Sequence, residues 1–191
     1  MLVVKVNSNH VAATGLLRIS TFSVNIDAQM ERLWAPWRME YINRANEEPG
    51  CFLCQKPKED NDSSNLILYR GESNFIILNT YPYNTGHLMV APYRHVGDPA
   101  LLTEAEAKEH LEMVKLGLRV LTEAMRPEGF NIGMNLGRAA GAGVADHIHT
   151  HIVPRWQGDT NFMPVIADTK VLPETLAATY QKLKQKLATL R

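Results

Sequence analysis

Three histidines in this 191-residue chain follow one another at every second position. Because strand side chains have a period of two, a strand here would place His147, His149 and His151 on one face. Ile148 and Ile152 would then point to the core. Burying three imidazoles together is costly unless each has a partner, so the row indicates a functional site and not three separate structural histidines.

The rest of the chain supplies further strands and two helices. We predict strands at 66–69, 75–78, 87–92, 130–136 and 147–154. Thr103 and Glu106 form a capping box, and apolar residues recur at steps of three and four from Leu111 to Met125, which predicts a long helix. A final helix is predicted after Pro173. This order favours an α+β fold, with a mostly antiparallel sheet covered by helices on one side. A Rossmann fold is disfavoured, since no G-x-G-x-x-G turn follows a strand.

Charge and hydropathy narrow the function classes. The chain has 20 basic and 20 acidic residues, so no excess of positive charge points to nucleic acid. No apolar run reaches the roughly 18–20 residues that cross a bilayer, and the first 29 residues have no secretory signal pattern. We therefore expect a cytoplasmic protein without nucleic-acid or membrane partners. We interpret residues 1–29 as a variable N-terminal extension and 30–191 as one catalytic domain, in which 31–42 is a docking segment or an aromatic surface anchor.

The histidine row is compatible with two chemistries. Imidazoles separated by one residue on a strand are common zinc ligands. A neutral imidazole is also a good nucleophile at pH 7, and its attack on a phosphoanhydride gives a phosphoramidate that water or phosphate can resolve. Asn135, Gly141 and Gly143, in and before a glycine-rich loop, would offer an amide and backbone N–H groups to phosphate oxygens. These neighbours favour nucleophilic catalysis.

The two cysteines of the chain, Cys51 and Cys54, form a C-x-x-C motif. Two cysteines are too few for a disulfide framework, so the motif suggests a thiolate metal site, or a redox pair. The remaining alternative is that both are small buried apolar residues.

The motif HIHTHIV (147–153) resembles the signature of the histidine triad superfamily, with Thr150 at a position that is apolar in the signature. Further segments resemble the bacterial diadenosine tetraphosphate phosphorylase-like (ATP adenylyltransferase-like) branch of that superfamily over about residues 30–190. They are LWAPWRMEYI (33–42), CFLC (51–54), LNTYPYNTGHLMVAPYRH (78–95), NLGRAAGAG (135–143) and HIVPRWQGDTNF (151–162).

The resemblance implies a role for each histidine of the site. His149 matches the histidine that carries the nucleotidyl group, and His147 and His151 match the partners that orient it and bind phosphate. His87 matches a histidine close behind the triad. Asn79 stands where many relatives have an aspartate that holds the ribose hydroxyls.

The resemblance also implies the phosphate contacts. Asn135 matches a phosphate-side amide, and Gly143 stands where relatives often have a serine, so the hydroxyl is missing here. Arg138, Arg155 and Trp156 are candidates for binding the acceptor or a second nucleotide, or have surface roles.

Structural zinc and a homodimer follow from the same resemblance. The zinc ligands would be Cys51, Cys54, His95 and His147, two thiolates and two imidazoles suited to a tetrahedral site. The dimer would pair the long helix and a strand across a two-fold axis. His10 and His110 have no such neighbours in the sequence, and we predict both at the surface.

The leading hypothesis is an enzyme that cleaves diadenosine tetraphosphate or a related nucleotide through a covalent nucleotidyl-histidine intermediate, with phosphorolysis favoured. The first alternative is a hydrolase of dinucleoside polyphosphates or nucleoside phosphoramidates. A non-catalytic nucleotide-binding regulator and a zinc-stabilised interaction module are the remaining ones.

Overall fold

The computed structural model describes residues 50–162 and 171–190. The predictions made for residues 1–29, for segment 31–42 and for His10 lie outside these ranges. Within them, no helix combines the length and the apolar character that crossing a membrane requires.

The described residues contain four α-helices and five strands. In chain order these are α1 (Phe52–Gln55), α2 (Asp62–Asn65), β1 (Ile67–Arg70), β2 (Asn74–Leu78), β3 (Leu88–Pro92), α3 (Glu104–Met125), β4 (Gly129–Met134), β5 (Thr150–Arg155) and α4 (Leu176–Thr189). Short 3₁₀ turns lie at Lys56–Lys58, Pro99–Leu101 and Arg138–Ala140.

All five strands form one sheet in the order β1-β2-β3-β5-β4, and every neighbouring pair is antiparallel. The predicted α+β class with an antiparallel sheet is therefore confirmed. Strand β5 joins β4 over six residue pairs but joins β3 over only three. The sheet consequently has two parts, β1–β3 and β5–β4, that meet at a short junction.

The two faces of the sheet carry different side chains. On one face, side chains from the sheet pack with α3 and α4 into the larger apolar core, which contains Leu88 and Ile152. On the other face, a smaller cluster includes Leu53 of α1 and Met89 of β3. His151 is paired with Met89, so its side chain lies on this second face.

Helix α3 begins with the predicted capping box. Thr103 accepts a hydrogen bond from the backbone N–H of Glu106, and the Glu106 carboxylate accepts one from the backbone N–H of Thr103. The predicted apolar face is wrong at its start, because Leu111 is 56% exposed and His110 takes the inward position. At Gly117 the helix comes so close to β5 that an added Cβ would lie 2.9 Å from Cδ1 of Ile152.

Strand β5 begins at Thr150, three residues later than predicted. The pairing of β5 with β3 begins at Thr150, which is opposite Val90. Strand β3 ends two residues after Val90, at Pro92, which has no N–H to donate to a neighbouring strand. Before this point the Ile148 N–H donates to the Val96 carbonyl oxygen at 2.7 Å. His147 and His149 thus precede the strand, and the three histidines do not form one row on its face.

Candidate active site

Three histidine rings lie next to one another at the junction of β3 and β5. His87 immediately precedes β3, His151 lies on β5, and His149 immediately precedes Thr150. The ring centroids of His87 and His151 are 5.0 Å apart, and those of His151 and His149 are 4.8 Å apart. The structure therefore brings His87, predicted from a distant motif, into contact with the triad.

Hydrogen bonds fix the tautomers of His87 and His151. The backbone N–H of Tyr83 donates to Nδ1 of His87 at 3.1 Å, so this nitrogen carries the lone pair. Neutral His87 then has its proton on Nε2, which lies 2.9 Å from Nδ1 of His151 and donates to it. His151, in its neutral form, consequently carries its own proton on Nε2.

His149 has the opposite arrangement. Its Nδ1 lies 2.9 Å from the carbonyl oxygen of His147, and only a protonated nitrogen can make this hydrogen bond. Neutral His149 therefore holds its lone pair on Nε2. An imidazole in this tautomer is prepared for nucleophilic attack through Nε2.

Burial keeps these rings neutral. It lowers the pKa of His87 to about 3, with further lowering from the charges that His151 and His149 could carry. Burial also lowers the pKa of His149, although its hydrogen bond to the His147 carbonyl opposes the shift. Both rings are therefore in the neutral form at pH 7.

Asn79 lies directly after β2 and beside His87. Its Nδ2 is 3.3 Å from Nδ1 of His87, and its Oδ1 accepts a hydrogen bond from the backbone N–H of Tyr81. The turn that follows ends at Gly86, whose φ of +83° is disfavoured for other residues, and an added Cβ would lie 2.7 Å from Sδ of Met125. Gly86 thus lets the chain pass close to α3 before it delivers His87.

The glycine-rich loop between β4 and β5 contains the predicted phosphate-binding groups. Gly137 and Gly141 both have positive φ values, and the side chain of Asn135 donates to the carbonyl oxygen of Gly141 at 3.4 Å. Gly143 is half-buried in the same loop. Asn135 therefore braces the loop in this conformation.

The predicted metal ligands come together although they are far apart in sequence. The Sγ atoms of Cys51 and Cys54 lie 3.2 and 3.3 Å from Nδ1 of His147, and Nδ1 of His95 lies 3.3 Å from both Cys54 Sγ and His147 Nδ1. All four donor atoms are within 4.8 Å of one another. Tetrahedral zinc with its usual bond lengths separates such donors by about 3.3–3.8 Å. The donor set fits a tetrahedral metal ion.

His147 links this cluster to His149. Its Nε2 donates to the Pro92 carbonyl oxygen at 2.8 Å, which leaves the lone pair of Nδ1 directed at the cysteines. Its own carbonyl oxygen accepts the hydrogen bond from His149. The ring of His147 thus belongs to the cysteine cluster, whereas its backbone orients His149.

The prediction for His110 needs correction. His110 is buried and not at the surface: its Nδ1 contacts Oδ1 of Asn74 at 3.0 Å and its Nε2 contacts Oγ1 of Thr150 at 2.7 Å. The guanidinium of Arg155, a candidate for binding the acceptor, makes three hydrogen bonds to Asp159 and Asn131. Its charge is thereby already compensated by a carboxylate.

Of the other two acceptor candidates, Trp156 donates its backbone N–H to the same Asp159 carboxylate at 3.2 Å. The Trp156 indole N–H donates to the Arg126 carbonyl oxygen at 3.3 Å, and Arg138 is exposed in a 3₁₀ turn.

Sequence reasoning missed the side chains that connect the turn before His87 to the residues at the end of β5. Asn84 is buried and donates to the Pro154 carbonyl oxygen and to Asp159, which fastens the turn before His87 to the end of β5. A cavity of about 210 Å³ lies here, and its lining includes Tyr83 and Val153. The polar turn 81–86 was a signal for this region, but its partner at Asp159 could not be identified without coordinates.

Comparisons with known proteins agree with this geometry. The HIT domain model matches residues 60–158. A Mycobacterium tuberculosis protein named AP-4-A phosphorylase is 40% identical over 162 residues, which cover 81% of this chain and 83% of that protein. A Schizosaccharomyces pombe protein named adenosine 5'-monophosphoramidase is 26% identical over 137 residues. The matched residues make up 72% of this chain and 98% of that protein.

A solved structure has the same fold. It is that of a hypothetical histidine triad nucleotide-binding protein from Sulfolobus tokodaii, with a TM-score of 0.59 and 25% identity over 73% of this chain and 93% of that one. The family model covers more than half of the chain, and its range contains His87 together with all three triad histidines. The chain therefore belongs to the HIT domain family.

Proposed function

We propose that this protein is a nucleotidyltransferase that cleaves diadenosine tetraphosphate or a related nucleotide through a nucleotidyl-His149 intermediate. One observation carries the proposal: neutral His149 holds its lone pair on Nε2, and the adjacent ring of His151 holds a proton on its own Nε2. A nucleophile and a proton donor thus stand side by side. The 40% identity to a protein named AP-4-A phosphorylase supports this substrate class.

In the first step, Nε2 of His149 attacks the α-phosphorus. An N–P bond forms, the P–O bond to the bridging oxygen breaks, and the bridging oxygen leaves with its electron pair. His151 assists by donating a hydrogen bond from Nε2 to the developing negative charge. Nδ1 of His149 keeps its proton and donates it in a hydrogen bond to the His147 carbonyl oxygen, which stabilises the cationic ring of the intermediate.

In the second step, an acceptor oxygen attacks the phosphorus of the intermediate and His149 leaves with its lone pair restored. Phosphate as acceptor converts diadenosine tetraphosphate into ADP and ATP, and water converts it into AMP and ATP. We favour phosphorolysis because the more similar relative is named a phosphorylase. The second candidate is hydrolysis, either of dinucleoside polyphosphates or of nucleoside phosphoramidates, because the Schizosaccharomyces pombe relative is named a monophosphoramidase.

Substrate binding falls to the neighbouring loops in this proposal. Asn79, beside His87, would hold the ribose hydroxyls through its amide. The side chain of Asn135 and the backbone N–H groups of Gly141 and Gly143 would bind phosphate oxygens, since residues 135–143 are rich in glycine and include no acidic side chain. The catalytic roles of His147 and His87 are indirect, because both orient a neighbouring imidazole.

We further propose that Cys51, Cys54, His95 and His147 hold a structural zinc ion. Burial raises the pKa of the Cys51 thiol to about 11, so a nearby cation is needed to stabilise the thiolate at neutral pH. The ion would cross-link α1, the segment after β3 and the residues before β5. Thiolate ligands of this kind persist in a reducing compartment, which supports a cytoplasmic location.

A homodimer through β4 completes the proposal. Strand β4 is at the edge of the sheet, and it carries exposed apolar side chains at Ile132 and Met134, followed by Leu136. An apolar edge strand invites pairing with another chain. A second copy would cover this edge with its own β4.

Products identify the reaction directly. Purified protein is incubated with diadenosine tetraphosphate, with and without phosphate, and the nucleotides are separated. ADP plus ATP supports phosphorolysis, AMP plus ATP supports hydrolysis, and the absence of products with intact binding supports a regulator.

His149→Ala is expected to reduce turnover by roughly four orders of magnitude or more and to abolish the protein-bound adenylate in rapid-quench mass spectrometry. Lys115→Ala, exposed on α3, is the control and keeps wild-type turnover.

A further inference from the structure

A buried hydrogen bond lies directly behind the reacting histidines. Thr150 stands between His149 and His151 in sequence, and its Oγ1 is 2.7 Å from Nε2 of His110 on α3. Both side chains are less than 6% exposed. The bond therefore joins the first residue of β5 to the long helix, on the face of the sheet opposite His151.

The direction of this bond can be assigned from its neighbours. The Glu109 carboxylate accepts a hydrogen bond from Nδ2 of Asn74 at 3.0 Å, and Nδ2 also donates to a backbone carbonyl of α3 at 3.1 Å. The Asn74 amide is thus oriented with Oδ1 toward Nδ1 of His110, which must carry the proton. Neutral His110 then accepts on Nε2, and the Thr150 hydroxyl donates to it.

Glu109 itself is held by two further donors. Its carboxylate accepts hydrogen bonds from the backbone N–H groups of Glu72 and Ser73, in the turn before β2, at 2.6 and 2.7 Å. A continuous chain of hydrogen bonds therefore runs from this turn, through Asn74 and His110, to the start of β5. Every member has a defined donor or acceptor role, which makes the chain rigid and directional.

We expect the reaction rate to depend on the position of Thr150. The backbone between His147 and Thr150 lies outside the β-ladder, and the hydrogen bond from His149 to the His147 carbonyl is made within it. A shift of Thr150 would move this segment and change the direction of Nε2 of His149. Misplacement of a reacting group by about 1 Å can cost roughly a hundredfold in rate.

We propose that His110 is a positioning residue of the nucleotidyl-transfer site, which anchors Thr150 and thereby fixes the backbone from which His149 and His151 project. The inference rests on the proposed function. His110 touches neither substrate nor reacting atoms, so its effect passes through Thr150. It also explains why a hydroxyl stands at a position that is apolar in the histidine triad signature.

Two substitutions of one residue test this role. Thr150→Val keeps the shape of the side chain but removes the donor, whereas Thr150→Ser keeps the hydroxyl and removes a methyl group. We expect Thr150→Val to lower kcat by about tenfold or more with KM within about twofold, because alignment and not binding is impaired. Thr150→Ser is expected to retain kcat within about threefold. Assays are performed where circular dichroism shows that both variants are fully folded.

A purely structural role predicts a different result. In that case folded Thr150→Val would match wild-type kcat, or both variants would lose kcat in proportion to their loss of stability. Either result would overturn the proposal. Equal loss of kcat in Thr150→Ser would also overturn it, since the hydroxyl would then not be the relevant group.

A second readout does not depend on turnover. Nitrogen-detected NMR of histidine-labelled protein reports the protonation of each ring nitrogen, and the His149 signals should change in Thr150→Val but not in Thr150→Ser. Unchanged His149 signals in Thr150→Val would contradict the anchoring role. Absence of a nucleotidyl adduct in the wild type would refute the proposed function instead, and the two failures are therefore distinguishable.

Discussion

At the scale of the residue, we expect the ionisation of His149 to set the pH range of the proposed nucleotidyl transfer. A histidine attacks only when its Nε2 is unprotonated, and burial lowers the pKa of His149 below its ordinary value of about 6.5. Lowering the pKa extends the neutral form to more acidic solution. We therefore expect the single-turnover rate of adduct formation to be flat near pH 7 and to fall with a midpoint below about pH 6.5.

The measurement needs a control for unfolding in acid. Protein held at each pH and returned to pH 7.5 should recover its full rate, which separates titration from denaturation. A reversible midpoint above about pH 6.5 would contradict the assigned environment of His149.

Gly86 provides a second prediction at this scale. Gly86→Ala forces a Cβ into a left-handed conformation and against Sδ of Met125 at 2.7 Å, so we expect a loss of about 1–3 kcal/mol in the free energy of unfolding. It should also lower kcat, because His87 follows directly. Gly129→Ala is the matched control, since nothing lies within 4 Å of its added Cβ. Denaturant titrations compare the two, and equal stabilities would show that the Gly86 backbone tolerates a side chain.

The spacing of the triad predicted all three rings on one strand face, and this prediction is wrong. Period-two spacing describes a strand, and β5 begins only at Thr150. His110 was predicted at the surface because no other candidate site residue lies near it in the sequence. Its burial depends on Asn74 and Thr150, which are 36 and 40 residues away. Such distant partners leave no local pattern in a sequence.

At the scale of the element, the sequence predicted helices and strands more accurately than it predicted the surroundings of individual residues. The capping box of α3 is a local signal, since both of its hydrogen bonds lie within four residues, and the structure contains it. The positions of all five strands were predicted to within three residues at their starts, because alternating apolar runs and turn residues are local too. The order β1-β2-β3-β5-β4 could not be read in the same way, since nothing local pairs β5 with β3.

The segment before β5 leads to a prediction about zinc. Cys54→Ser removes one thiolate from the cluster, so we expect it to lose most of its bound zinc and to melt at a lower temperature. Because His147 also orients His149, kcat should fall although Cys54 is remote from the reaction. Metal analysis, thermal unfolding and kinetics measure the three effects.

Lys58→Ala, in the neighbouring 3₁₀ turn, is the matched control and should change none of them. Unchanged zinc content in Cys54→Ser would remove the basis for the metal site. Loss of zinc with full kcat would show that the cluster and the nucleophile are independent.

At the scale of the whole molecule, the exposed edge of β4 is the surface through which we propose that two copies of the chain pair. Ile132→Lys places a charge on this apolar edge, and we expect it to convert a dimer into the 21.5 kDa monomer in sedimentation velocity. Leu101→Lys changes an exposed apolar residue in a separate 3₁₀ turn and should leave the mass unchanged. A wild-type protein that sediments as a monomer at micromolar concentration would argue against the dimer.

The three residue pairs between β3 and β5 have a consequence for folding. His87 belongs to one part of the sheet and His151 to the other, and their hydrogen bond crosses the junction. Neither part of the sheet can form this hydrogen bond by itself. We therefore expect a chain that has formed only β1–β3, or only β4 and β5, to transfer no nucleotidyl group.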